Sequence, residues 1–101
     1  MMNTVRERDY EVIFIMSPET EEEDRENIRE RIEDYINNNG GEVKESDEWD
    51  ERKLAYEIRG YNNGYYTVID FEAETSMIND LDYEFKIIND VLRHMIINKE
   101  E

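Results

Sequence analysis

The spacing of apolar residues switches repeatedly along this 101-residue chain, and these switches restrict its fold more than any other feature. Residues 10–16 are nearly all apolar, β-branched or aromatic, which predicts a central strand covered on much of both faces. Ile28, Ile32 and Ile36 then recur at helical spacing among charged residues, so they predict an amphipathic helix. Residues 37–41 combine asparagines with two glycines, a typical signal for the end of a helix.

The middle of the chain returns to strand periodicity. Residues 42–58 predict a long second strand, in which Leu54, Tyr56 and Ile58 alternate with other residues and should share one buried face. Residues 59–64 should break the strand, and the Asn-Gly pair at the end of this segment is a strong short-range signal for a hairpin.

Residues 65–72 should form the third strand, and their alternation predicts a buried face formed by Tyr65, Thr67, Ile69 and Phe71.

Two further signals complete the secondary structure. The second helix is predicted from a buried stripe of four residues, and its N-cap should be Thr75 or Ser76. The stripe consists of Ile78, Leu81, Phe85 and Ile88. Ser17 should cap the first helix, with Pro18 at its first position. Residues 91–98 predict a closing strand.

The order strand, helix, strand, strand, helix, strand predicts an α+β, ferredoxin-like β-α-β-β-α-β fold. The first and third strands should be central in a four-stranded antiparallel sheet, the second and fourth should be edges, and both helices should cover one face. We divide the chain into a flexible N-terminal arm of residues 1–9, a domain of residues 10–98 and a short acidic tail of residues 99–101.

Charge limits the function. The chain carries a net charge of −16, which argues against a protein that binds nucleic acid alone, since phosphate contacts depend mainly on lysine and arginine. The acids are concentrated in residues 19–34 and 42–51, so an acidic face and a small mixed or basic face are both possible. The cations outside these blocks are Arg6, Arg8, Arg52, Lys53, Arg59, Lys86, Arg93 and Lys99.

Several chemistries lack the residues they need. The chain has no cysteine and one histidine, His94, so we expect no metal site, no cofactor and no catalytic activity. No apolar run approaches the ~18 residues that span a bilayer, and the first nine residues lack a signal-peptide core. We therefore expect no membrane partner. Because catalytic residues are lacking, we also expect no small-molecule substrate.

Two cationic positions are candidates for a working surface. Arg52 and Lys53 lie between the aromatic residues Trp49 and Tyr56 on the second strand. The pair at residues 93 and 94 interrupts an otherwise apolar closing strand, and its two side chains must point to opposite faces. The competing interpretation is that these are ordinary solvated charges and, on the closing strand, a charge that protects a sheet edge.

Several segments together resemble one family, the bacterial small-subunit ribosomal protein six, over residues 10–98. The matching segments are Tyr10-Glu11, Gly40-Gly41, Trp49, the run of residues 52–56, the run of residues 64–66 and the run of residues 91–97. The chain departs from the family pattern at Asp9, where a cation is usual, at Asp50, where glycine is usual, and at Glu57, where proline is common.

The resemblance implies a structural constituent of the small ribosomal subunit, located on the cytoplasmic ribosome and without enzymatic activity. It implies that the protein binds small-subunit ribosomal RNA jointly with small-subunit ribosomal protein eighteen. The alternative is a non-ribosomal ferredoxin-like protein-interaction or regulatory domain.

The resemblance also suggests site residues. Arg52, Lys53 and Arg93 match cationic positions of the family and, with the adjacent His94, are candidate RNA-binding residues. Arg8 and Lys86 are the next candidates for RNA contact.

Trp49, Leu54 and Tyr56 are the candidate contacts to the protein partner.

Overall fold

A computed structural model describes residues 7–100 as one four-stranded antiparallel sheet with two helices. The strand order is β2-β3-β1-β4, which confirms the predicted ferredoxin-like topology with β1 and β3 at the centre. The elements are β1 (Glu7–Met16), α1 (Glu22–Asn38), β2 (Glu42–Ile58), β3 (Tyr61–Glu74), a 3-10 turn (Thr75–Met77), α2 (Ile78–Lys86) and β4 (Val91–Asn98).

The helices cover one face of the sheet, and the main core lies between them and that face. Alternate residues of the two central strands point into this core, because successive side chains of a strand face opposite sides. The fully buried members include Val12, Phe14, Ile69, Phe71, Ile32, Ile36, Leu81 and Phe85. The predicted stripes of both helices and the predicted inner face of β3 are therefore confirmed in their main members.

The first strand begins earlier than the sequence predicts. It starts at Glu7, which pairs with Glu74 of β3, so the last three residues of the predicted arm belong to the sheet. The predicted tail continues the pairing, because the Lys99 amide donates to the Asp9 carbonyl oxygen over 2.9 Å. The other residues of the predicted arm and tail, 1–6 and 101, lie outside the described residues, and Arg6 is one of them.

The hairpin turn is at Arg59 and Gly60, inside the predicted break of residues 59–64 but not at its Asn-Gly pair. Both turn residues have positive φ, 52° and 82°, as a two-residue hairpin of this hand requires. Asn63 and Gly64 lie inside β3. A Cβ atom at Gly64 would lie 2.4 Å from the Ile15 Cγ2 atom, so this glycine permits close packing rather than a turn.

The predicted helix caps are also wrong. The helix α1 begins four residues beyond Pro18, after Glu21, and its N-terminus has no side-chain cap. Ser17 accepts a hydrogen bond from the Glu19 amide over 3.1 Å and so stabilises the preceding turn. Thr75 and Ser76 form the 3-10 turn ahead of α2 instead of capping it.

Candidate nucleic-acid interface

The sheet face opposite the helices, which we call the open face, is divided into two halves of different chemistry. One half, the acidic half, is formed where the start of β1 and β2 meets the end of β3. By strand register its carboxylates belong to Asp9, Glu11, Glu42, Glu45, Asp47, Asp70 and Glu72. The cations here are already paired: Lys44 lies 3.3 Å from Glu42, and Lys99 lies 3.3 Å from Asp70.

The other half, the aromatic half, contains an apolar groove of about 270 Å³. Its floor includes Ile15 and Leu54, which with Leu92 form a small buried cluster separate from the main core. Its rim carries exposed apolar side chains, since Met95 is 50% and Tyr56 57% exposed. An apolar groove with exposed aromatic and thioether rims is typical of a binding surface.

The prediction that Leu54, Tyr56 and Ile58 share one buried face is only partly correct. Leu54 is buried, Ile58 is half-buried and Tyr56 is exposed. The reason is that β1 ends at Met16, opposite Tyr65 of β3, so the hairpin end of β2 and β3 has no third strand beside it and projects beyond the sheet.

Arg93 and Tyr56 join the two edge strands across the groove. The Arg93 guanidinium donates a hydrogen bond to the Tyr56 hydroxyl, and its Cζ atom lies 5.5 Å from the ring centroid. Because β2 and β4 are at opposite edges of the sheet, this contact shows that the projecting hairpin curves over the open face. It holds a permanent positive charge at the groove.

Arg52 belongs to a second cation-aromatic stack on the open face. Its Cζ atom lies 5.4 Å from the Trp49 ring centroid, and Trp49 stacks on Tyr66 at 5.9 Å and 22°. Trp49 is 42% exposed, so this stack is open to a partner. Lys53 follows Arg52 in an extended strand and therefore points to the opposite side, so the two cations are adjacent in sequence but not in direction.

His94 lies on the helix side, away from Arg93. Its ring stacks on Phe85 at 4.8 Å and 14°, and its side chain is 15% exposed. Its Nε2 atom is 2.5 Å from Asp82 Oδ1, and Lys86 binds the same carboxylate over 3.1 Å. The hydrogen bond with His94, aided by Lys86, lowers the pKa of Asp82.

Arg8 lies near the beginning of β1, half-buried, with its guanidinium 3.6 Å from Glu100. Of the six predicted RNA-binding residues, the structure places Arg52 and Arg93 on the open face, each beside a different aromatic ring. It places Lys53 on the other side of the hairpin, and Arg8, Lys86 and His94 elsewhere.

The sequence interpretation missed the groove residues of the central strands. Ile13, Ile15 and Tyr66 line the groove beside the predicted Leu54 and Tyr56. The signal was present, since the apolar residues of β1 occupy both alternation sets and one set had to face away from the helices.

Residues 7–100 contain neither a candidate metal site nor a candidate membrane-spanning helix. No group of three or more histidine, cysteine or acidic side chains there could hold a metal ion. In the same residues no helix has the length and apolar character needed to cross a membrane.

Comparison with known proteins finds one family. The family model described as Ribosomal protein S6 matches residues 9–98. The chain is 43% identical over 93 residues to small ribosomal subunit protein bS6 of Clostridium botulinum strain Loch Maree, covering 92% of this chain and 99% of that protein. It is 40% identical over 94 residues to bS6 of Carboxydothermus hydrogenoformans, covering 93% and 98% of the two chains. The crystal structure of 30S ribosomal protein S6 from Thermotoga maritima superposes with a TM-score of 0.88 at 32% identity, covering 94% of this chain and 90% of that one.

Proposed function

Because this chain belongs to the ribosomal protein S6 family, we propose that it binds small-subunit ribosomal RNA jointly with small-subunit ribosomal protein eighteen. Membership confirms the resemblance found in the sequence and makes the chain a protein of the small ribosomal subunit, on the cytoplasmic ribosome. The family is one of structural proteins. A match over residues 9–98 favours this interpretation over the non-ribosomal alternative.

The division of the open face is the observation that carries the proposal. RNA binding by the isolated protein is disfavoured by the net charge of −16. A basic protein partner overcomes this repulsion, since the acidic half attracts its cations and the aromatic half buries its apolar side chains. The partner then supplies most of the phosphate-binding charge.

The predicted partner contacts fit the aromatic half. Leu54 forms the groove floor, while Tyr56 and Trp49 stand exposed at its margin. Exposed aromatic side chains are enriched among the residues that dominate binding at protein interfaces. We assign these three residues to contact with the partner.

The cations of the aromatic half are assigned to RNA phosphates. Arg52 and Arg93 are exposed on the open face, and Lys53 is exposed on the other side of the hairpin. Such contacts position a protein on RNA without reading its sequence. Arg8 and Lys86 are secondary candidates, because each already pairs with a carboxylate.

The test is a triple substitution, Arg52→Ala, Lys53→Ala and Arg93→Ala, in a binding assay with the partner protein and small-subunit RNA. We expect negligible RNA binding by the wild-type protein alone, salt-sensitive binding when the partner is present, and a salt slope lower by about one unit for each lost contact. Circular dichroism establishes that the variant is folded.

The matched control removes the same charge from the helix side of the protein. It is the triple substitution Arg25→Ala, Arg29→Ala and Arg31→Ala on α1. We expect this control to keep the wild-type salt slope. Equal salt slopes for the folded site triple and the wild type would contradict the assignment, and tight RNA binding without the partner would contradict joint binding.

A further inference from the structure

The apolar pattern of the edge strand β4 does not by itself select one pairing register with β1. Its sequence places apolar residues in both alternation sets, with Met95 and Ile97 on one face and Ile96 on the other. Strand register is normally set by one buried apolar face, and a slip by one residue moves every side chain to the opposite side. The apolar pattern of β4 therefore specifies its register poorly.

A bulge near the start of β4 increases this ambiguity. Met16 pairs with Val91 and Ile15 pairs with Arg93, so Leu92 is an extra residue opposite the end of β1. Beyond the bulge, Arg93 reaches the open face and His94 reaches the helices. Without the bulge the rest of β4 would slip by one residue, so that Arg93 would pair with Phe14 and His94 with Ile13, and these two side chains would exchange faces.

The polar contacts of β4 distinguish the two registers. His94 fills its site closely, with its ring flat against Phe85 and its Nε2 atom 2.5 Å from the Asp82 carboxylate. An arginine there would place a second permanent positive charge beside Lys86, which already pairs with Asp82.

On the open face, Tyr56 accepts the hydrogen bond from Arg93 and lies near enough to stack with its guanidinium.

We propose that the hydrogen bond between His94 and Asp82 locks the register of β4 and makes His94 a positioning residue that places the Arg93 guanidinium on the open face. His94 itself then contacts neither RNA nor the partner. The consequence for assembly rests on the proposed function, whereas the register lock can be tested without it.

The first experiment reads the register directly. Nuclear Overhauser contacts between the β1 and β4 backbones report whether Ile13 faces Met95, as it does here, or a neighbouring residue. His94→Leu removes the polar link but keeps an apolar side chain against Phe85, and we expect it to populate a shifted register. His94→Gln can still donate to Asp82, and we expect it to keep the native pairing.

Asp82→Ala removes the same link from α2 and should also populate the shifted register. It provides an independent test if His94→Leu does not fold. A single native register in the folded link-breaking variants would overturn the lock.

The second experiment is a double-mutant cycle in the assembly with partner protein and RNA. We expect His94→Leu and Arg93→Ala each to weaken assembly by up to about tenfold, as loss of one phosphate contact would. Adding His94→Leu to Arg93→Ala should cause a smaller loss than His94→Leu causes alone, because the part of its effect that passes through Arg93 is already gone. Independent, multiplying losses would overturn the positioning role.

The two proposals fail in different ways. Wild-type assembly by Arg93→Ala would contradict the phosphate contact proposed above and leave the register measurement intact. A native register in His94→Leu and Asp82→Ala, with impaired assembly by Arg93→Ala, would contradict only the lock.

Discussion

The two faces of the sheet are stabilised by different means. On the helix-covered face, the central strands pack apolar side chains against two helix stripes, and Val12, Phe14, Ile69 and Phe71 are almost completely buried. On the open face, a smaller apolar cluster lies beside exposed aromatic rings, and side-chain hydrogen bonds such as that between Arg93 and Tyr56 connect the strands. The comparison indicates that the covered face accounts for stability, while the open face keeps groups available for binding.

The largest expected effect comes from breaking the covered face. Phe85 is 1% exposed and lies 5.0 Å from Phe14 between ring centroids. Phe85→Ala should lower the free energy of unfolding by about 3–5 kcal/mol, because it removes a buried ring and leaves a cavity. Urea denaturation measures this loss, and a change below about 1 kcal/mol would show that α2 does not pack as described.

An intermediate effect is expected where the hairpin meets β1. Gly64→Ala should destabilise by about 1–3 kcal/mol, since the added Cβ would overlap Ile15 beneath the groove. Gly60→Ala is the matched control, because its Cβ meets open space and only its φ of 82° opposes the change, at about 1 kcal/mol. If thermal unfolding shows Gly64→Ala to be the milder change, the groove floor is not tightly packed.

A small stability effect combined with a clear binding effect would sharpen the contrast between the faces. Tyr56→Phe keeps the ring but removes the hydroxyl that accepts from Arg93. We expect unfolding free energy within about 0.5 kcal/mol of the wild type, since the contact is exposed. Assembly with partner and RNA should weaken measurably, and an unchanged assembly constant would show that the Tyr56 hydroxyl and its contact with Arg93 do not contribute to the interface.

The smallest effect concerns pH. The folded-state pKa of Asp82 is lowered, first by its hydrogen bond with His94, so the folded state favours the carboxylate. This contribution is present above the ordinary aspartate pKa of about 3.9 and is lost as pH falls through the lower folded value. Solvent screening keeps it small, because the Asp82 side chain is 40% exposed.

The measurement is urea denaturation between about pH 5 and pH 2, with Asp82→Asn as the comparison. The variant should show a shallower loss of stability in acid. Parallel curves for the two proteins would show that this carboxylate does not contribute.

The sequence predicted the covered face well because its signals are local. Ile28, Ile32 and Ile36 recur along one helix, and the alternation of β3 needs only its own residues. Its errors lie where a local signal had a different tertiary cause. Gly64 was interpreted as a turn residue, yet it is required by Ile15, a residue distant in the chain.

The candidate site shows the same limit. The sequence predicts that Arg93 and His94 point to opposite faces, and they do. The same alternation separates Arg52 from Lys53, which the sequence analysis grouped as one candidate site. The curvature of the hairpin instead brings Tyr56 to Arg93 from the opposite edge of the sheet.

The sequence alone determined the element order, the buried faces of the helices and central strands, the surplus of negative charge and the resemblance to the family. Tertiary structure decided which half of the open face is acidic, where the hairpin turns and which cations share a surface. The physical reason is that apolar periodicity acts over a few residues, whereas the register of β4 and the curvature of β2 depend on contacts such as His94 with Asp82 and Arg93 with Tyr56, which only the folded chain brings together.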